Sequence, residues 1–286
     1  MELVVKRRIM ETSIDDLKTK GFVTMSYPRG LREAVKKAAE SWKRFYNLPL
    51  EVKKALPYSN NADGVGYEYK EGIGNKADRK ENFDVTLAGK KWLEENAGHI
   101  GNPIALEFIE DVTRLVPILK PLVSHFVWQV EQSYGVDGLV EEVTTGEDAF
   151  FVRFIHYFGD REVGEETASA HTDQSGFTPH LFESSPGLEC LTYEGKWIPM
   201  PVSEGETVVI PSMQLQLKSQ GTLKALCHRV VATVETAEQG RDSAVCFVQM
   251  KKTPKYDKDK CGRLQEKEPG FNYSMSHFDF SNLFKK

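Results

Sequence analysis

His171 and Asp173 stand two positions apart in AHTDQSG, residues 170 to 176. In an extended chain, side chains i and i+2 fall on one face, so the spacing predicts an imidazole and a carboxylate that converge. A second histidine, His228, opens the apolar run HRVVATV much further along. Two histidines and one carboxylate form the ligand set of mononuclear non-haem ferrous sites. Three protein donors hold one face of an octahedron and leave three positions for a co-substrate and O2. None of the three is a thiolate, which O2 would oxidise. HxD by itself is a weak signal in a chain with seven histidines, where a surface or core histidine is the ordinary case.

A third element strengthens the reading. HRVVATVETAEQG reads as a strand and a turn, and RDSAVCFV as the strand that returns. Arg241 and Ser243 then share one face of that returning strand. A guanidinium takes a carboxylate in two parallel hydrogen bonds, and a serine hydroxyl adds a third. Behind a metal, this pair suits the far carboxylate of 2-oxoglutarate; alone, it would read as a surface ion pair.

These residues need a scaffold, and the chain has the means to build one. It has 286 residues, 40 % hydrophobic, with a formal net charge of −5. That is enough for a large core, and the mild acidity argues against a nonspecific grip on nucleic acid. Cys190, Cys227, Cys246 and Cys261 form no CxxC pair and read as reduced thiols. The N-terminus carries no signal-peptide core, and no run approaches the roughly 20 apolar residues of a membrane span. A cytoplasmic protein is the expectation.

LREAVKKAAESWKRFY, residues 31 to 46, has the apolar spacing of an amphipathic helix. A short helix follows Pro49. Residues 59 to 82 read as a long irregular segment with one hairpin. Residues 104 to 134 read as helix, kinked or divided at Pro117 and Pro121 and ended by Gly135 and Gly138. After Gly146 the texture changes to short β-rich runs between turn residues: AFFVRFIHYF, GLECLTY, WIPM, TVVIP, HRVVATVE and DSAVCFVQM. That pattern predicts a sandwich or barrel.

The stretch from about Asp148 to Gln249 resembles the isopenicillin N synthase-like family of iron(II)/2-oxoglutarate-dependent dioxygenases. The resemblance is carried by HTD at 171 to 173, GLECLTYEGKWIPM at 187 to 200, EGETVVIP at 204 to 211, LQLKSQGTLKALCHRVV at 215 to 231 and RDS at 241 to 243. GFVTMS, FYNLPLEVKKAL, GVGYEY and KENFDV extend it over most of the chain. It implies an α+β fold, a double-stranded β-helix (jelly-roll) core with an N-terminal helical region. The division expected is 1–145 mainly helical, 146–253 the oxygenase core and 254–286 a tail packed on it.

The resemblance further implies Fe(II) held by His171, Asp173 and His228, with O2 and 2-oxoglutarate as co-substrates. Arg241 and Ser243 would hold the oxoacid's distal carboxylate, and Tyr157 would touch the oxoacid. Ile155 stands where the family commonly has asparagine, and VIPSMQLQ replaces its Gly-Asp turn. Asp173 argues against halogenating relatives, which lack that carboxylate. The activity implied is oxidation of a C–H bond of a small metabolite by hydroxylation, desaturation or cyclisation, with release of succinate and CO2.

The alternatives are an iron oxidase of the same fold that needs no 2-oxoglutarate, a ligand-binding relative without chemistry, and a hydrolytic zinc site. The partner expected is a small-molecule substrate, with no nucleic acid or membrane, in a monomer or weak oligomer. His180 stays outside the ligand set as a structural residue. His156 and Cys227 should point away from the metal, and Arg153 should form a structural ion pair. Tyr67, Tyr69, Lys70 and Arg79 lie in a loop expected to rim the pocket.

Overall fold

The computed structural model describes residues 13–59, 64–71, 79–146, 149–201, 203–250 and Gly270. Except for Gly270, the expected tail at 254–286 lies outside the described residues, as does Cys261. Cys190, Cys227 and Cys246 are free thiols.

The N-terminal part runs α1 (Asp16–Thr19), β1 (Val23–Ser26), α2 (Leu31–Tyr46), α3 (Leu50–Lys54), β2 (Gly66–Lys70), β3 (Lys80–Thr86), α4 (Lys90–Ile100), α5 (Pro103–Tyr134) and α6 (Leu139–Thr145). In α2, Leu31, Val35, Ala38, Trp42 and Phe45 are buried, as the helical spacing requires. The hairpin expected within 59 to 82 is β2 paired antiparallel with β3, and β3 runs on to Thr86.

One expectation is corrected: α5 is a single helix of 32 residues, not divided at Pro117 or Pro121. Its buried face continues across both prolines through Leu115, Val116, Leu119, Leu122 and Val123. Burial at roughly 1.5–3 kcal/mol for each such side chain outweighs about 3 kcal/mol for each interior proline. Gly135 stops the helix at φ +62°, its N–H donating to the Glu131 carbonyl. No described helix is long and apolar enough to cross a membrane.

From Phe150 the elements are β4 (Phe150–Tyr157), β5 (Glu166–His171), β6 (Phe177–Glu183), β7 (Leu188–Leu191), β8 (Trp197–Pro199), β9 (Glu206–Pro211), α7 (Met213–Lys218), β10 (His228–Val231), α8 (Thr236–Gln239) and β11 (Arg241–Val248). Together with β1, β2 and β3 they form, among the described residues, two antiparallel sheets, one of order β1-β9-β6-β11-β4-β3-β2 and one of order β5-β10-β7-β8. From β4 onward the chain alternates between the two sheets, except for the β7–β8 hairpin, which stays within the small sheet. That alternation is the double-stranded β-helix.

It also corrects the reading of the last strands. β11 does not return beside β10; it lies in the other sheet between β4 and β6. Residues 232 to 240, with α8, carry the chain across.

Period-two alternation sorts the large sheet's faces. On β11, Ala244, Cys246 and Val248 join the core shared with the helices. Arg241, Ser243, Val245 and Phe247 line an internal cavity instead. On β4, Val152 and Phe154 face the helices, while Arg153, Ile155 and Tyr157 face the cavity. Phe108 of α5 ties the helical layer to the sheet, its ring 4.7 Å from Phe45, 5.0 Å from Phe83 and 5.7 Å from Phe154. With one face covered by helices, the other is left for the site.

Candidate metal centre

His171 ends β5, and its partner across the ladder is His228, which begins β10. The two rings stand side by side with centroids 4.4 Å apart. Asp173 lies beyond the end of β5, so strand pairing and the following turn bring the three together rather than one extended HxD segment. Asp173 Oδ1 is 3.6 Å from His171 Nε2 and 3.9 Å from His228 Nε2. One donor atom from each residue lies within 4.8 Å of the others, the one such cluster among the described residues.

The surroundings prepare these atoms to bind a cation. His171 Nδ1 donates to the Ser169 carbonyl at 2.6 Å, and His228 Nδ1 donates to the Leu226 carbonyl at 3.2 Å. A carbonyl only accepts, so each Nδ1 carries the proton and each Nε2 presents a lone pair to the site. Burial pushes His228 down to about 4 despite the pull of Asp173, so its ring is neutral at pH 7. A proton titration of its imidazole by NMR in the metal-free protein should therefore show a midpoint near pH 4; a midpoint near 6.5 would contradict this environment.

Burial alone would raise the Asp173 pKa. The neighbouring His228 and His171, with the Thr178 hydroxyl, outweigh it and hold the carboxyl below its ordinary value. Thr178 Oγ1 donates to Asp173 Oδ2 at 2.6 Å. PSMQ, where the family's polar turn would be, pins the Asp173 turn from behind. Met213 N donates to the Asp173 carbonyl at 3.0 Å, and Ser212 N to the Gly176 carbonyl at 2.9 Å. Groups that orient a ligand are worth about 10–100-fold in metal affinity. Thr178→Val should therefore weaken Mn(II) binding by that factor in a calorimetric titration, and unchanged affinity would count against the role of the hydroxyl.

The donor set fits a ferrous ion: two imidazole nitrogens and an ionised carboxylate, with no thiolate. His171 is half-exposed, its side chain 47 % accessible, whereas Asp173 and His228 are buried. The site thus opens on one side.

Arg241, Ser243 and Tyr157 line the same cavity of about 280 Å³ as the three donors. Arg241 pairs with Tyr157 across the ladder, and Ser243 pairs with Ile155. Two glycines make this seat. Gly240 enters β11 at φ +80°, where a Cβ would stand 2.4 Å from the Tyr157 carbonyl oxygen. Gly187, at φ +128°, leaves room where a Cβ would meet the Val231 carbonyl oxygen at 2.5 Å. Just before it, the carbonyls of Ser185 and Pro186 accept from Arg241 Nε at 3.0 and 3.3 Å.

Two residues absent from the expected site also line this cavity, His180 and Glu183. His180 Nδ1 is 2.8 Å from Glu183 Oε1, Glu183 Oε2 is 2.6 Å from Arg241 Nη2, and the His180 ring is 5.8 Å from that of His228. Positions i and i+3 of a regular strand face opposite ways. Here β6 bulges: Ser243 pairs with Glu183 and Ala244 with Phe182, but Val245 pairs with His180. The extra residue, Leu181, resets the phase so that both polar side chains point inward.

The other expectations resolve individually. His156 faces away, its Nδ1 2.7 Å from Asp242 Oδ1 and its ring stacked on Tyr46 at 4.1 Å. Arg153 forms a two-pronged ion pair with the buried Asp84, at 2.7 Å on each side. Tyr67, Tyr69, Lys70 and Arg79 do not line this cavity; Lys80 does.

Comparison with known proteins adds to this geometry. Residues 146–250 match the family model of the 2OG-Fe(II) oxygenase superfamily. The chain is 28 % identical over 234 residues to a 2-oxoglutarate-dependent dioxygenase of Didymella fabae, covering 72 % of this chain and 68 % of the relative. It is 26 % identical over 236 residues to a 2-oxoglutarate-Fe(II) type oxidoreductase of Aspergillus fumigatus, covering 74 % and 68 %. Among solved structures, a full-length Neurospora crassa protein in complex with alpha-KG superposes with a TM-score of 0.69 at 20 % identity, covering 82 % of this chain and 77 % of that one. A 2OG-Fe(II) oxygenase family protein from Caulobacter crescentus gives 0.72 at 21 %, covering 95 % and 92 %. The structural likenesses establish the double-stranded β-helix, and the sequence matches establish the chemistry: residues 146–250 form a 2OG-Fe(II) oxygenase domain, and the chain is an oxidoreductase that uses ferrous iron and 2-oxoglutarate.

Proposed function

We propose that His171, Asp173 and His228 are the protein ligands of the iron, and that Arg241, Ser243 and Tyr157 receive 2-oxoglutarate. The observation that carries this is the meeting of three donor atoms within 4.8 Å in the cavity that Arg241 and Ser243 also line. Bound there, ferrous iron with the oxoacid supplies O2 activation coupled to release of succinate and CO2.

The chain's own part is placement. The two carbonyl-anchored imidazoles and the Thr178-held carboxylate keep three donors aimed at one point. Arg241 and Ser243 hold the distal end of the oxoacid. The apolar walls, Ile155, Val230, Val245 and Phe247, exclude water and orient a substrate C–H bond.

The substrate proposed is a small organic molecule. The cavity of about 280 Å³ is at the small end of ligand sites. Similar folds are named for small-molecule work: the Neurospora crassa protein is also solved with alpha-KG and thymine, and a rice relative is a dioxygenase for auxin oxidation. The net charge of −5 supports a metabolite rather than a nucleic acid, acted on by a monomer or weak oligomer.

The test is turnover with iron, 2-oxoglutarate and a panel of small substrates. The expected result is succinate formed one-to-one with oxidised product, dependent on O2 and abolished by a chelator. Product formed without consumption of 2-oxoglutarate would overturn the oxoacid part of the proposal.

A further inference from the structure

We infer that Glu183 sets the oxoacid specificity of this site, because its carboxylate already occupies part of the guanidinium that would hold a distal carboxylate. The inference rests on the assignment of Arg241 to the oxoacid.

Arg241 and Glu183 are both buried, with side-chain accessibilities of 2 % and 7 %. The Nε edge of Arg241 is taken by the Ser185 and Pro186 carbonyls. Its Nη2 lies 2.6 Å from Glu183 Oε2, yet neither atom makes an aligned hydrogen bond. The charges are therefore opposed at contact distance while directional bonding stays incomplete. His180 fixes the other oxygen of Glu183, and the β6 bulge holds both residues in place.

An incoming dicarboxylate must share one guanidinium with a carboxylate that belongs to the protein. Two like charges a few ångströms apart in a poorly solvated site disfavour one another. In a socket whose arginine is uncompensated, a second carboxylate on the ligand strengthens binding greatly. Here much of that advantage is cancelled in advance. The site should bind 2-oxoglutarate only modestly better than 2-oxopentanoate, the same chain with a methyl group in place of its distal carboxylate.

Calorimetric titration of both oxoacids into Mn(II)-loaded protein reads this without turnover. In the wild type, the preference for 2-oxoglutarate is expected to be under about tenfold. In Glu183→Gln, 2-oxoglutarate should bind at least about tenfold more tightly, while 2-oxopentanoate changes by less than about twofold. The amide keeps the shape and removes the charge. A wild-type preference of a hundredfold or more overturns the inference, and that measurement needs no variant to fold. So does a Glu183→Gln variant whose 2-oxoglutarate affinity is unchanged or weaker, because Glu183 would then only position Arg241. Binding that is present but insensitive to Glu183 leaves the site assignment standing. Failure of both proteins to bind either oxoacid overturns the site assignment and this inference with it.

Discussion

Alanine at His171 or His228 is expected to abolish oxygen-dependent succinate formation and to weaken Mn(II) binding by more than about a hundredfold. Loss of groups that merely orient a metal ligand costs about 10–100-fold, so loss of the ligand itself should exceed that range. The two variants differ in a useful way. His228 is buried between the sheets and pairs with both Cys190 and His171 across its ladders, so its removal also leaves a void in the small sheet. His171 is half-exposed at a strand end, and its removal should leave the unfolding midpoint nearly unchanged. Activity lost in His171→Ala with stability intact therefore isolates the chemistry from the fold. Activity retained in both variants would remove the proposed iron site.

Arg241→Ala is the second large effect. Truncating one member of a buried charge pair costs about 2–5 kcal/mol at a binding site, or roughly thirtyfold to several thousandfold in affinity. The KM for 2-oxoglutarate should rise into that range, with a smaller change in kcat at saturating oxoacid. Glu183 would be left facing the oxoacid with its counter-charge gone, which adds to the loss. The double variant Arg241→Ala/Glu183→Gln should accordingly lose less than Arg241→Ala alone. Arg241→Lys should recover only part of the affinity, since an ammonium lacks the planar fork. A KM unchanged in Arg241→Ala would mean that the oxoacid lies elsewhere.

The candidate site was largely legible in the sequence because its chemistry dictates residue types. Two imidazoles, one carboxylate and an Arg–Ser pair are scarce enough in combination that their order carries information. The strands read correctly are those rich in β-branched and aromatic residues, such as FFVRFIHY and TVVI. ETASAH, which became β5, is too small and polar to read as a strand, although it ends in a proposed ligand. KENFDVT became a buried strand because its charges find partners from elsewhere in the chain. Glu81 meets Lys53 at 2.5 Å, and Asp84 meets Arg153.

Pairings between sheets were not legible either. β10 and β11 look like a hairpin because they follow one another, and only the closed core shows that they lie in opposite sheets. The role of Glu183 was hidden by the same kind of gap. A period of two puts His180 and Glu183 on opposite faces, and a single bulged residue brings them together beside Arg241.

The most direct test of the central claim is diffraction at the iron absorption edge, from crystals prepared without O2 in the presence of Fe(II) and 2-oxoglutarate. The account predicts one iron bonded to His171 Nε2, an Asp173 carboxylate oxygen and His228 Nε2, with the oxoacid's distal carboxylate against Arg241 and Ser243. Iron located away from these three side chains, or an oxoacid bound with its distal end pointing away from Arg241, would contradict it.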